Sequence, residues 1–184
     1  MLSCDTLCVI LADGAGGMSG GERAAELTLS LVKSAPPPTT AADAEELLRG
    51  IDAHLDDDPH AGETTAVAVW MTSAGLIGAS AGDSSLFVLD ADSALELTRG
   101  QYAKRRLGSG RAIPVGFSWS LTPGMRVLAG TDGLFGYVSE ATRLSLARGL
   151  HLEVAVDSLI AAPRLTSGAY ADDASVALVR VASG

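Results

Sequence analysis

The 184-residue sequence predicts an α+β fold in which helices cover antiparallel sheet. Three observations carry this. The apolar share of 47% in a chain of this length suits one domain with a sizeable core, spanning 1–184. Apolar runs of strand length alternate with stretches of helical spacing. Their order is one strand, two helices, several strands, two helices and a last strand, which a regular βαβ repeat would not produce.

Leu7 to Ala12 is a continuous apolar run too short for a helix, so it reads as a buried strand, and it ends at Asp13. Ser19 followed by Glu22 has the spacing of a capping box, and Ala24, Leu27 and Leu31 continue as one face of an amphipathic helix. That helix stops at "SAPPPTT". A second starts from Thr40 with Asp43 three residues on, carries Ala44, Leu47, Leu48, Ile51 and Leu55 on one side, and dissolves in "DDDPHAG" at Pro59. From Thr64 to Leu89 the segments "TTAVAVWMT", "LIGASAGD" and "SSLFVLD" form a three-strand meander with a turn near Ser73 to Gly75. "ALELT" adds a short strand. Arg99 to Trp119 reads as glycine-punctuated connection. "MRVLAGTD" is a further strand ending in an acid, Ser139 to Ala147 and Leu152 to Ile160 read as helices, and "DDASVALVRV" closes the chain as a strand.

A formal net charge of −9 disfavours nucleic acid and anionic lipid as partners, and the only tight basic cluster is Lys104, Arg105 and Arg106. No stretch approaches the roughly 20 apolar residues of a spanning helix, and no signal-peptide pattern opens the sequence, so a cytoplasmic location without membrane attachment is expected. Cys4 and Cys8 lie four apart on one extended segment, where they cannot easily reach each other, and are expected to be reduced.

Asp13, Asp83, Asp132 and Asp172 each bound an apolar strand, and the first three have a glycine beside them: "ADGAGG", "AGDSS", "GTDGLFG". Carboxylates gathered at one sheet edge repel and raise each other's pKa unless a cation neutralises them. Hard oxygen donors without nearby histidine or thiolate favour Mg²⁺ or Mn²⁺ over zinc. Taken singly, Asp-Gly pairs are ordinary turn punctuation, Asp132 suits a helix N-cap, and Asp172 or Asp173 suits a hairpin.

Together the segments resemble the metal-dependent protein phosphatases, the PPM or type 2C family, along nearly the whole chain. "ADGAGGMSGGERAA" is similar to the family's Asp-Gly-x-Gly-Gly motif, "GETTAVAVW" to its Gly-Thr-Thr-Ala strand and "SAGDSSLFVL" to its Gly-Asp-Ser-Arg strand. "LAGTDGLFGYVS" resembles the Ser/Thr-Asp-Gly-Leu segment, and "ADDASVALVRV" the terminal strand. The resemblance implies a four-layer α-β-β-α sandwich of two antiparallel sheets with a metal site at one sheet edge. It implies Asp13 bridging two ions with the Gly14 carbonyl as a further contact, Asp132 and Asp172 completing the second ion's shell, and Asp83 with Asp132 holding a third. Asp173 has a supporting role. The implied reaction is hydrolysis of phosphoserine or phosphothreonine in a protein substrate, opposing a Ser/Thr kinase, by water held between the ions. Of the three histidines, His54 and His151 read as helix residues, and His60 is the candidate acid for the leaving alkoxide.

The sequence departs from the family's pattern in several places. Only eight residues precede Val9, which leaves no room for the usual opening strand with its phosphate-binding Arg and Asn/Glu-Asp pair, and Asp5 is a weak stand-in. Arg23 or the Lys104 to Arg111 region is the possible replacement for that arginine. Ser85 stands where the family has Arg, Gly136 stands where an acid often follows, and the stretch from Leu97 to Pro123 is short for a flap segment. A non-catalytic relative of the same fold is therefore the alternative. A regulator of an anti-sigma antagonist, or one domain of a longer protein, is also compatible with the sequence.

Overall fold

The computed structural model describes residues 6–15, 19–72 and 75–182. Cys4, Asp5, Gly16, Gly17 and Ser73 lie outside these. The elements are β1 (Leu7–Leu11), α1 (Gly21–Ser34), α2 (Ala41–Asp56), β2 (Ala66–Met71), β3 (Gly75–Ala81), β4 (Ser85–Leu89) and β5 (Ala94–Glu96). They continue with β6 (Val115–Ser120), β7 (Arg126–Gly130), α3 (Asp132–Phe135), α4 (Glu140–Ala147), α5 (Leu152–Ala161) and β8 (Val176–Arg180). Two antiparallel four-stranded sheets result, in the orders β1-β2-β3-β6 and β5-β4-β7-β8. The expected α-β-β-α layering is present.

Three apolar layers explain the stacking. Leu11, Val67, Val69, Leu86, Val88, Val127 and Ala129 pack between the two sheets. The other face of β2 and β3 carries four alanines, Ala66, Ala68, Ala79 and Ala81, fully buried in one cluster with Leu48, Ile51 and Leu55 of α2, beside Trp70 and Ile77. Such small side chains let a helix lie close on a sheet, where the larger residues of the helix fill the space. On the far side, Phe87, Leu89 and Leu128 meet Leu134, Val138 and Leu159.

Helix starts follow the sequence unevenly. At α2 the capping box forms as read: Thr40 accepts from the Asp43 N–H, and the Asp43 carboxylate accepts from the Thr40 N–H. The box expected from Ser19 and Glu22 does not form. The N-cap is Gly20, in the left-handed region at φ 89°, without a side-chain cap. A Cβ on Gly20 would press into the backbone of His60 to Gly62, and the Gly20 carbonyl accepts from Gly62 N–H at 2.9 Å. Backbone packing fixes that helix start.

The stretch Arg99 to Trp119 is also more ordered than expected, because Val115–Ser120 forms β6 and pairs along β3. The loop before β6 is tied down by one buried side chain. Asp52 of α2 accepts from the N–H groups of Gly108 (2.8 Å), Ser109 (3.1 Å) and Gly110 (3.2 Å) on Oδ1 and from Ala112 (3.0 Å) on Oδ2. Leu107 exchanges two backbone hydrogen bonds with Thr64, which in turn bridges Gly14. The loop is thereby fastened both to α2 and to the segment around Asp13.

Asp52→Ala removes an acceptor shared by four N–H groups, and we expect a loss of roughly 3 kcal/mol, with Asp52→Asn losing about half as much because its amide oxygen still accepts. Urea unfolding of the three proteins checks this, and equal stability of Asp52→Ala and the parent would contradict it.

Candidate functional site

Strand register brings the four predicted aspartates to one end of the sandwich. In the first sheet Leu11 pairs with Val67 and Ala66 with Ala81, so the chain leaves β1 toward Asp13 at the same end where it leaves β3 toward Asp83. In the second sheet Ser85, Gly130 and Val176 are in register, so Asp83 precedes β4, Asp132 follows β7 and Asp172 precedes β8 at one end. Residues 82–84 cross from the first sheet to the second, which joins the two ends.

Close backbone approaches hold these turns. A Cβ on Gly14 would collide with the carbonyl of Gly21, so glycine lets the start of α1 lie against the Asp13 turn. The Asp13 carbonyl accepts from Thr65 N–H at 2.8 Å, and Ala15 N–H donates to Glu63 O at 2.9 Å. Gly82 sits at φ 98° with the Thr65 side chain against it, and Thr65 Oγ1 and Ser84 Oγ share a hydrogen bond of 2.7 Å. At the second sheet, a Cβ on Gly133 would strike the carbonyl of Asp173. The Asp172–Asp173 turn thus lies directly over the start of α3, and Thr131 N–H donates to Ser175 O at 3.1 Å. Asp132 is the first residue of that short helix and Thr131 its N-cap, so the N-cap reading of Asp132 does not hold.

The electrostatics record the gathering. Burial pushes the Asp13 carboxyl up to about 6, and the charges of Asp132, Asp172, Asp173 and Asp83 push in the same direction. Asp132 is raised by burial and then by Asp83 and Asp172, while Arg106 pulls the other way. Asp83 Oδ2 accepts from Arg106 Nη2 at 2.9 Å, and Asp83 Oδ1 is buried with no hydrogen-bond partner among the described residues. Among the described residues no three carboxylates converge closely enough to hold one ion as they stand. The donor set of Asp13, Asp132 and Asp172 nonetheless fits hard divalent cations: every side-chain donor is a carboxylate oxygen, and their charges oppose one another.

Several other expectations resolve here. Arg23 does not face the cluster; its Nε and Nη2 reach Asp58 Oδ2 at 2.8 and 2.7 Å. His60 is exposed in the loop after α2, and its backbone N–H donates to Asp58 Oδ1 at 2.9 Å. His151 is the N-cap of α5 and not a residue within it. Cys8 is a free, exposed thiol. The arginine that reaches the acids, Arg106, comes from the Lys104 to Arg111 region. No helix among the described residues is long and apolar enough to cross a membrane.

No protein-family model and no curated protein matches the sequence. Solved structures do match in fold. A bacterial serine phosphatase superposes with a TM-score of 0.80 at 20% identity, over 97% of this chain and 87% of that one. The catalytic domain of the serine threonine protein phosphatase PstP in complex with 2 manganese ions gives 0.80 at 20% identity, over 100% and 94%. The serine/threonine phosphatase Stp1 from Staphylococcus aureus gives 0.71 at 20% identity, over 84% and 76%. At these identities the likeness establishes the fold, which is the one these bacterial Ser/Thr phosphatases share.

Metal-free protein should show the strain of the cluster as pH dependence. The folded-state pKa of Asp13, about 6, lies above the ordinary aspartate value of 3.8, so the stability tied to its proton is fully present below about 4 and lost as pH rises through about 6. In chelator, the urea midpoint of the parent should therefore fall further between pH 5 and pH 7 than that of Asp13→Asn. Equal falls would contradict the upward shift of Asp13, whose first cause is burial and whose second is the neighbouring acids.

Proposed function

We propose that this chain is a Mn²⁺- or Mg²⁺-dependent protein serine/threonine phosphatase. The observation that carries the reading is the convergence of Asp13, Asp83, Asp132 and Asp172, from two sheets, at one end of a fold shared with phosphatases of that class. Asp13, Asp132 and Asp172 would hold two ions, with the Gly14 carbonyl beside Asp13 as a further donor. Such ions supply a water acidic enough to attack phosphorus at neutral pH and positive charge for the phosphoryl oxygens.

The chain's own part is to position and to stay rigid. The Gly14–Thr64–Leu107 bridges tie the Asp13 turn to the loop carrying Arg106, and the close approach of Gly133 to the Asp173 carbonyl supports a placement of Asp172 near Asp132. Fixed donors need little reorganisation when a phosphoester arrives. His60, exposed in the loop after α2, is the candidate donor of a proton to the leaving alkoxide in this reading. The substrate is a phosphoserine or phosphothreonine side chain of a protein that a Ser/Thr kinase has modified.

A second reading, a binding module without turnover, draws support from the cluster's open spacing: among the described residues no three carboxylates converge on one point. Hydrolysis of para-nitrophenyl phosphate and of a phosphothreonine peptide, in Mn²⁺, Mg²⁺ and chelator, separates the two. We expect metal-dependent hydrolysis that falls at least 100-fold (~2.7 kcal/mol in the barrier) in a folded Asp132→Ala protein. Silence of the folded parent in both metals would favour the binding module, and an active Asp132→Ala protein would overturn the assignment of Asp132.

A further inference from the structure

We propose that Arg106 is a built-in third cation of this centre: its guanidinium takes the Asp83 carboxylate, so the site accepts two divalent ions and excludes a third. The inference rests on the phosphatase reading above and concerns how many ions its acids bind.

The ion pair is placed by the fold. Arg106 Nη2 lies 2.9 Å from Asp83 Oδ2, with side-chain exposures of 30% and 26%, so both charges are partly withdrawn from water. An exposed arginine pair contributes little and moves freely, whereas this one is carried on anchored backbone. Leu107 is bridged to Thr64, the four N–H groups after it converge on buried Asp52, and the Arg106 carbonyl accepts from Ser109 Oγ at 2.8 Å. On the other side, Asp83 is flanked by Gly82, packed on Thr65, and by Ser84, whose carbonyl accepts from Gln101 Nε2 at 2.6 Å. Both partners are fixed before they meet, so little entropy is lost in pairing them.

Charge explains the consequence. A divalent ion on Asp83 would share that carboxylate with a guanidinium already within hydrogen-bond distance, and like charges this close repel strongly where water is partly excluded. The unpaired Asp83 Oδ1 and Arg106 Nε, both buried, mark a pair that is not fully satisfied, so a third ion is kept out by Arg106 and not by a lack of acceptor oxygen. Removing the guanidinium while keeping the carboxylate should therefore open a further cation position.

The test counts Mn²⁺ bound per full-length chain at saturation, from the free-ion electron paramagnetic resonance signal, with circular dichroism confirming the fold. The parent should bind two ions, Arg106→Gln three, and Arg106→Gln combined with Asp83→Asn two again. Two ions in both the parent and Arg106→Gln would overturn the inference while leaving the two-ion centre standing, as would three ions in the parent. Fewer than two in the parent would sink the two-ion centre itself and the inference with it. Should Arg106→Gln fail to fold, Asp83→Asn alone decides: an unchanged two ions supports the inference, and a lost ion overturns it because Asp83 would then be a ligand.

Discussion

Like-charge repulsion among carboxylates at the common end of two sheets is the constraint to which this molecule is built. Four strands deliver acids to one place, and the cost registers on Asp13, raised by burial and then by Asp132 and its neighbours, and on Asp132, raised by burial and then by Asp83 and Asp172. Nothing in the packing of the sandwich requires that arrangement. The apolar layers between the sheets and beneath the helices would be equally good with neutral turns. That concentration of negative charge is what supports the proposal that the site receives cations.

The surrounding backbone keeps the acids from relaxing apart. Glycines at Gly14 and Gly133 admit carbonyls where a Cβ would collide, so each acidic turn is wedged against a neighbouring element. The loop from Arg106 to Ala112 is fastened through Asp52 and Thr64, and it supplies Arg106, which pairs with Asp83. Positioning in this site is therefore mostly a backbone matter, with Asp52, remote from the acids in sequence, acting through the loop it anchors.

Much of this was legible in the sequence, and the exceptions have physical reasons. The four aspartates could be read because each ends an apolar run, and the Thr40–Asp43 capping box could be read because both its partners are local. The Ser19–Glu22 box could not, since tertiary crowding by residues 60–62 moves the cap to Gly20. Strand β6 was hidden because "VGFSWS" lies at a sheet edge with its second half exposed, so its pattern carries little alternation. Asp52 left a signal that went unused: it sits between Leu48 and Leu55 on the apolar face of α2, where a carboxylate must find donors. Which arginine reaches the acids depends on loop closure over more than twenty residues and has no local signature.

The central claim, that this cluster is built for divalent cations, is tested most directly by the melting temperature of the chain at neutral pH as Mn²⁺ is added to metal-free protein. The account predicts a rise that continues with the logarithm of Mn²⁺ concentration, reaching about 2.7 kcal/mol of added stability at a hundredfold excess over the dissociation constant for a single site. A melting temperature indifferent to Mn²⁺ and Mg²⁺ into the millimolar range would contradict it.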